Sequence, residues 1–183
     1  MALEIEVKVL EIDADDVVRR LEALGAEQTG SFRLVTAVFD FPDRRLLDAG
    51  AYARVRRKGT EVVEVAYKGG GSVDSGYKVK REIEFEAGDF DAACEFLIAL
   101  GLERVNHLEK DRTVFSWGDV EFSIDRFPIL PPFLEIEASS EAGVDRGLAA
   151  LEIPRERANT MGPRELFRHY GLDLEAMRVV AFS

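Results

Sequence analysis

The feature that most constrains this chain is a two-residue alternation in which charges are sorted by sign from one strand to the next. Leu3, Ile5, Val7 and Val9 alternate with Glu4, Glu6 and Lys8, and a period of two puts the two sets on opposite faces of a β-strand. The same spacing puts Arg54 with Arg56, Lys110 with Arg112, and Glu135 with Glu137 on shared faces, the last pair opposite Leu134 and Ile136. Asp125 lies on the face away from Phe122 and Ile124. Across 77–87 the even positions are Lys78, Lys80, Glu82, Glu84 and Glu86, and Lys68 closes the strand before them. On a single antiparallel strand such a face is ordinarily solvated. A solvated face would mix signs and include more Thr and Ser, whereas here acid pairs and basic pairs sit on separate strands.

Helices are available to cover the apolar faces. Asp13 is placed to cap a helix carrying Val17, Val18, Leu21 and Leu24 and ended by Gly25. Residues 90–100 form a second helix stopped by Gly101, and 143–151 and 163–170 read as two more. Strands are expected over 2–10, 32–41, 51–58, 61–68, 77–87, 103–116, 119–126 and 133–138, with turns at Gly59–Thr60 and Trp117–Gly118 and a flexible loop at 69–72. If the helices sit outside, the charged faces turn toward one another, as in a closed β-barrel with a polar lumen. The class is therefore α+β, with one domain over 1–172 and a loose tail over 173–183. A faint repeat, Glu–Ile–Glu at 4–6, 82–84 and 135–137 with Leu–Gly at 24–25 and 100–101, suggests two similar halves.

Composition removes several classes. The net charge of −11 argues against nonspecific nucleic-acid binding. One cysteine, Cys94, excludes an intramolecular disulfide and a Cys-rich zinc site, and two histidines argue against a His-only metal cage. No signal-peptide pattern opens the chain, and no stretch approaches the ~18 apolar residues of a membrane span. No membrane partner and a cytoplasmic setting are expected.

Converging unpaired carboxylates repel and are costly to desolvate. They become favourable with a divalent cation, and carboxylate oxygens suit Mg²⁺ or Mn²⁺. Several Lys and Arg in the same lumen match a polyphosphate, with Arg as a bidentate contact and Lys as a point charge. Metal and cations around a phosphoryl group are the electrostatic arrangement for P–O–P chemistry.

The sequence resembles the CYTH superfamily, the triphosphate tunnel metalloenzymes, which include class IV adenylyl cyclases and thiamine triphosphatases. The matching pieces are ExExK at Glu4–Lys8, the segment 38–50, Arg54-Val55-Arg56, Tyr67-Lys68-Gly69, Arg81–Glu84, Lys110-Asp111-Arg112, Asp125 and the run Phe133–Glu137. The likeness spans roughly residues 2–140. It implies an eight-stranded antiparallel tunnel. Glu4, Glu6, Asp125, Glu135 and Glu137 would hold one or two Mg²⁺ or Mn²⁺. Lys8, Arg54, Arg56, Lys68, Lys110 and Arg112 would hold the triphosphate, and Glu4, Glu6, Lys8 and the inward Glu82 would act in catalysis. Two departures bear on substrate identity: Val38 stands where the family has Tyr, and Pro132 where it usually has Gly.

The implied activity is metal-dependent cleavage of a phosphoanhydride in ATP, thiamine triphosphate or tripolyphosphate, with hydrolysis preferred because it asks for fewer specific parts. The alternatives are a class IV cyclase, in which the ribose 3′-hydroxyl attacks the α-phosphorus, and a module that binds triphosphate without turnover. A homodimer through outer faces is compatible with the pattern, and no residue fixes it. Ordinary roles compete for several residues: Asp125 and Asp40 as turn residues, Glu84 and Glu86 as solvated edge residues, His107 on the surface, Cys94 in the core. Helix 163–170 either caps a tunnel mouth or packs through Leu166 and Phe167. Glu6→Gln or Glu135→Gln is expected to remove activity and leave the fold.

Overall fold

Three helices begin where a side chain accepts a backbone N–H. Asp13 accepts from Asp16 at 3.0 Å, Asp89 from Ala92 at 2.7 Å and Ser140 from Gly143 at 3.1 Å, which satisfies donors that a helix start leaves unpaired. The computed structural model describes residues 5–60, 62–74 and 77–183, with backbone alone at 70–74 and 77–81. The helices are α1 (Ala14–Ala23), α2 (Arg45–Asp48), α3 (Phe90–Ala99), α4 (Glu141–Ala150) and α5 (Pro163–His169). The strands are β1 (Ile5–Val9), β2 (Glu27–Asp40), β3 (Tyr52–Lys58), β4 (Val62–Asp74), β5 (Tyr77–Ala87), β6 (Glu103–Trp117), β7 (Val120–Arg126), β8 (Phe133–Ala138), β9 (Ala158–Asn159) and β10 (Val179–Val180). Among the described residues no helix is long and apolar enough to cross a membrane.

The architecture is mixed α+β around one antiparallel sheet in the order β10-β6-β2-β3-β4-β5-β1-β8-β7, with β9 beside β1 and β10 parallel to β6. β6 also pairs with β7 from Asp111↔Arg126 to Trp117↔Val120, so the sheet curls back on itself. The expected closed eight-stranded barrel is corrected in two respects. The sheet has ten strands, because the two-residue strands β9 and β10 pair with β1 and β6. It is also not evenly closed: among the described residues β1 meets β5 through the register pair Glu6↔Lys78 alone.

The alternation works as expected. Val7 and Val9 are fully buried with Leu21, Phe122, Leu134 and Ile136 under α1 and α4. A second cluster packs Phe90, Cys94 and Leu97 of α3 on Val35, Phe39, Val55 and Val65. With helices covering these outer faces, Glu6, Lys8 and the other charges point inward.

Two further expectations are corrected. The glycine segment 69–72 is not a loop; it continues β4, with a register shift between Gly69 and Ser72. The end of the chain is not loose either. Leu174 and Val180 are buried beside Leu108, Phe127 and Phe167. Buried Asn106 donates its amide hydrogens to the carbonyls of Leu174 (2.7 Å) and Met177 (3.2 Å). A buried amide with two good acceptors fixes the segment that supplies them.

Candidate functional site

The inward faces enclose a cavity of about 940 Å³. Among the described residues seven Lys and Arg side chains and seven Glu side chains line it, so cations and carboxylates are evenly matched there, and a multiply charged ligand would be held by where the charges sit.

One wall comes from β1, β6, β7 and β8, where the register sets Lys8 opposite Glu135 and Arg112 opposite Asp125. Lys8 Nζ lies 3.3 Å from Glu6 and 3.2 Å from Glu135. Arg112 donates to both oxygens of Asp125, at 2.7 and 2.6 Å, and also to Glu135. Lys110 donates to Asp125 and lies 3.9 Å from Glu135. Burial opposes the charge on Lys8, but Glu135 and Glu6 outweigh it and raise its pKa. Burial would likewise raise the Glu135 carboxyl, yet Lys110, Lys8 and Arg112 hold it well below its usual value. For Lys110 the balance runs the other way: burial, then the charge of Arg112, lowers its pKa to about 8 despite Asp125 and Glu135.

The other wall comes from β3, β4 and β5. Arg54 reaches Glu84 at 3.0 Å, Glu82 at 3.1 Å and Glu64 at 3.8 Å, and Lys68 reaches Glu82 at 2.7 Å. Burial would raise Glu82, but Lys68 and Arg54 hold it low; Glu84, pressed by burial and by Glu64, is raised. Arg56 differs from all of these. It makes no ion pair among the described residues, and its Nε is buried without a hydrogen-bond partner. Burial, then Arg54 and Arg112, lowers its pKa to about 10.

Glu6, Lys8, Arg54, Arg56, Lys68, Glu82, Lys110, Arg112, Glu135 and Glu137 are all brought together on the cavity wall. Asp125 is not: it is wholly buried behind Lys110 and Arg112. Glu4 lies outside the described residues. Glu84, read as a solvated edge residue, lines the cavity, as does Pro163, which brings the start of α5 to it. Asp40 is a turn residue, accepting from the amides of Phe41, Leu46 and Leu47.

Sequence reasoning passed over Glu64, Lys58, Phe32 and Glu121, which also line the cavity. Lys58 continues the Arg54–Arg56 face at the next even position, a signal the alternation contained. The register puts Glu6 opposite Glu137 and Glu137 opposite Glu121, and directly opposed side chains stand about 4.5–5.5 Å apart at Cβ. This row of carboxylates has the donor chemistry of a hard divalent cation, although among the described residues no three potential ligands already converge.

A curled antiparallel sheet with helices outside and an ionic interior cavity defines the class of protein to which this fold belongs. The CYTH domain model matches residues 2–169, and the chain belongs to the CYTH family. A Methanocaldococcus jannaschii protein named "Putative adenylate cyclase" is 30% identical over 137 residues, covering 75% of this chain and 77% of that one. A solved structure from Pyrococcus horikoshii is similar, with a TM-score of 0.75 and 26% identity over 89% of this chain and 98% of that one. An adenylyl cyclase homologue from Hippeastrum, described as having a dominant triphosphatase activity, shares the fold at a TM-score of 0.66 and 14% identity, covering 92% and 96% of the two chains.

Proposed function

We propose that this CYTH protein hydrolyses a phosphoanhydride of a triphosphate bound in the cavity. The observation that carries the reading is Arg56, a buried arginine that makes no ion pair among the described residues, whereas Lys8, Arg54, Lys68, Lys110 and Arg112 each reach a carboxylate. A buried cation without a counter-charge is costly, and a phosphate oxygen would relieve that cost through a charge-assisted hydrogen bond.

In this reading Arg56, Arg54, Lys68, Lys110 and Arg112 grip the phosphate chain, while Lys8 and Glu82 orient the groups around it. The acid row answers the charge problem. Matched cations and carboxylates among the described lining residues do not by themselves neutralise a triphosphate, which fits a ligand that arrives with its counter-ion. Bound at Glu6 and Glu137 beside Glu121, with Glu4 proposed as a further ligand from its place in the ExExK motif, Mg²⁺ or Mn²⁺ would supply charge neutralisation and polarise the breaking P–O bond. Glu135 and Asp125 are committed to Lys and Arg, so their part is to position those cations. Hydrolysis needs only water in line with the leaving group, whereas cyclisation also needs a placed ribose 3′-hydroxyl.

The cyclase reading is favoured by the name of the M. jannaschii relative. Incubation with ATP and Mn²⁺ or Mg²⁺, separating ADP and phosphate from cyclic AMP and pyrophosphate, decides between them, with tripolyphosphate assayed in parallel. ADP and phosphate support hydrolysis, and cyclic AMP supports the alternative. Calorimetric binding without product would leave a binding module. Glu6→Gln is expected to abolish turnover while the melting temperature holds, since Glu6 is partly exposed and, among the described residues, its one ion pair is with Lys8.

A further inference from the structure

The cavity changes chemistry where β2 and β6 run past the β3–β4 turn. β2 pairs with β3 only from Leu34 onward, so its earlier residues stand beyond Gly59–Thr60 with β6 behind them. Here paired charges give way to Phe32, Gly30, Thr29, Thr60, Val62 and Val114. Phe32 is half-buried and sits opposite Arg112 on the β2–β6 ladder. A Cβ at Gly30 would come within 2.7 Å of its Cε1, so the ring occupies space that a side chain at position 30 would take. Lys58 Nζ already lies over one face of the ring, 4.7 Å from its centroid, so the ring lies where a cation and a π-system meet, and the flexible lysine would have to yield or share that face with a stacked ligand. Along β2, Phe32 is four residues from Thr36, the partner of Arg56, a separation of about 13 Å on one strand.

From this juxtaposition of an aromatic ring, small neighbours and adjacent phosphate-gripping cations, we infer that the lip is a subsite for the planar heteroaromatic head group of an organic triphosphate, with Phe32 as its stacking platform. The inference rests on the triphosphate reading and deepens it. Stacking supplies affinity without reading the identity of the ring, so the site would favour organic triphosphates over the inorganic chain. The hydroxyls of Thr29 and Thr60 are the nearby groups that could hydrogen-bond a ring edge.

The test is calorimetric binding of ATP, thiamine triphosphate and tripolyphosphate to the wild type, Phe32→Ala, Phe32→Trp and Gly30→Val, each checked by thermal unfolding. Phe32→Ala is expected to raise the Kd for the organic ligands by about tenfold or more and to leave tripolyphosphate nearly unchanged. Phe32→Trp should restore ATP binding, and Gly30→Val, which displaces the ring without removing it, should act like Phe32→Ala. ATP and thiamine triphosphate separate the two sources of the head group. Equal loss for all three ligands, or no loss for the organic ones, overturns the inference while leaving tripolyphosphate binding, and with it the triphosphate reading, intact. Absence of binding of all three ligands by the wild type would overturn both.

Discussion

Lys8, Lys110 and Arg112 each touch two carboxylates on the β1–β6–β7–β8 wall, whereas Arg56 on β3 touches none among the described residues. The residue types are the same, and the difference lies in their neighbours. On the first wall, adjacent strands place Asp125 and Glu135 against three cations, forming a closed network. On the second, Arg54 and Lys68 take up Glu64, Glu82 and Glu84, and Arg56 is left over. A closed network sets the shape of a cavity, and a leftover charge recruits a ligand. The alternation that builds both walls does not distinguish them.

The sharpest way to break this contrast is to remove a charge from the closed wall. Arg112→Ala leaves Asp125 and Glu135 short of a counter-charge, and breaking a buried network of this kind costs about 3–5 kcal/mol. Thermal unfolding should show a Tm lower by roughly 10 °C, and Glu135→Gln should shift it in the same direction, contrary to the sequence expectation that this variant spares the fold. A Tm unchanged in both would show that the network is not structural. Arg56→Ala should do the reverse. It removes a cation that no carboxylate among the described residues holds, so Tm should stay or rise, while the Kd for tripolyphosphate should increase by roughly ten- to a hundredfold, the worth of one charged hydrogen bond. Equal losses of stability in Arg56→Ala and Arg112→Ala would erase the distinction.

Titration sharpens the contrast further. With Lys110 lowered to about 8, its ammonium is lost as pH rises through that value, and an anion binding above it must draw the proton back. Triphosphate affinity should fall several-fold between about pH 7 and 9, with proton uptake visible in calorimetry across buffers of different ionisation enthalpy. Lys110→Arg, charged throughout, should flatten the profile. The smallest effect is on acid stability. Because Glu135 titrates well below its ordinary value of 4.5 in the folded chain, its contribution is complete above about pH 4.5 and is lost as pH falls below it. The Tm of Glu135→Gln should therefore depend less on pH in that range.

Much of the site was legible because a strand's period of two is local. Glu6 and Lys8, Arg54 and Arg56, and Glu135 and Glu137 could be assigned a common face from spacing alone. What spacing leaves open is register. That Lys8 sits opposite Glu135, or that Asp125 is sealed behind Lys110 and Arg112 instead of reaching the cavity, depends on how strands far apart in sequence slide against one another. The glycines at 69–71 read as a loop because glycine weakens a strand, yet pairing with β5 carries β4 through them with a register shift. Phe32 carried no motif, and its position became meaningful only once the β3–β4 turn was seen to stop short of it.

The anchoring of the last residues bears on how this protein should be handled. The match to the family ends at residue 169, and a chain trimmed there would strip Leu174 and Val180 from Leu108, Phe127, Leu130 and Phe167 and leave the Asn106 amide without its two acceptors. The same strand, β6, carries Lys110 and Arg112 a few positions further on. The final stretch is thus the keel of the β6 side, and shortening it would unsettle the cavity from behind.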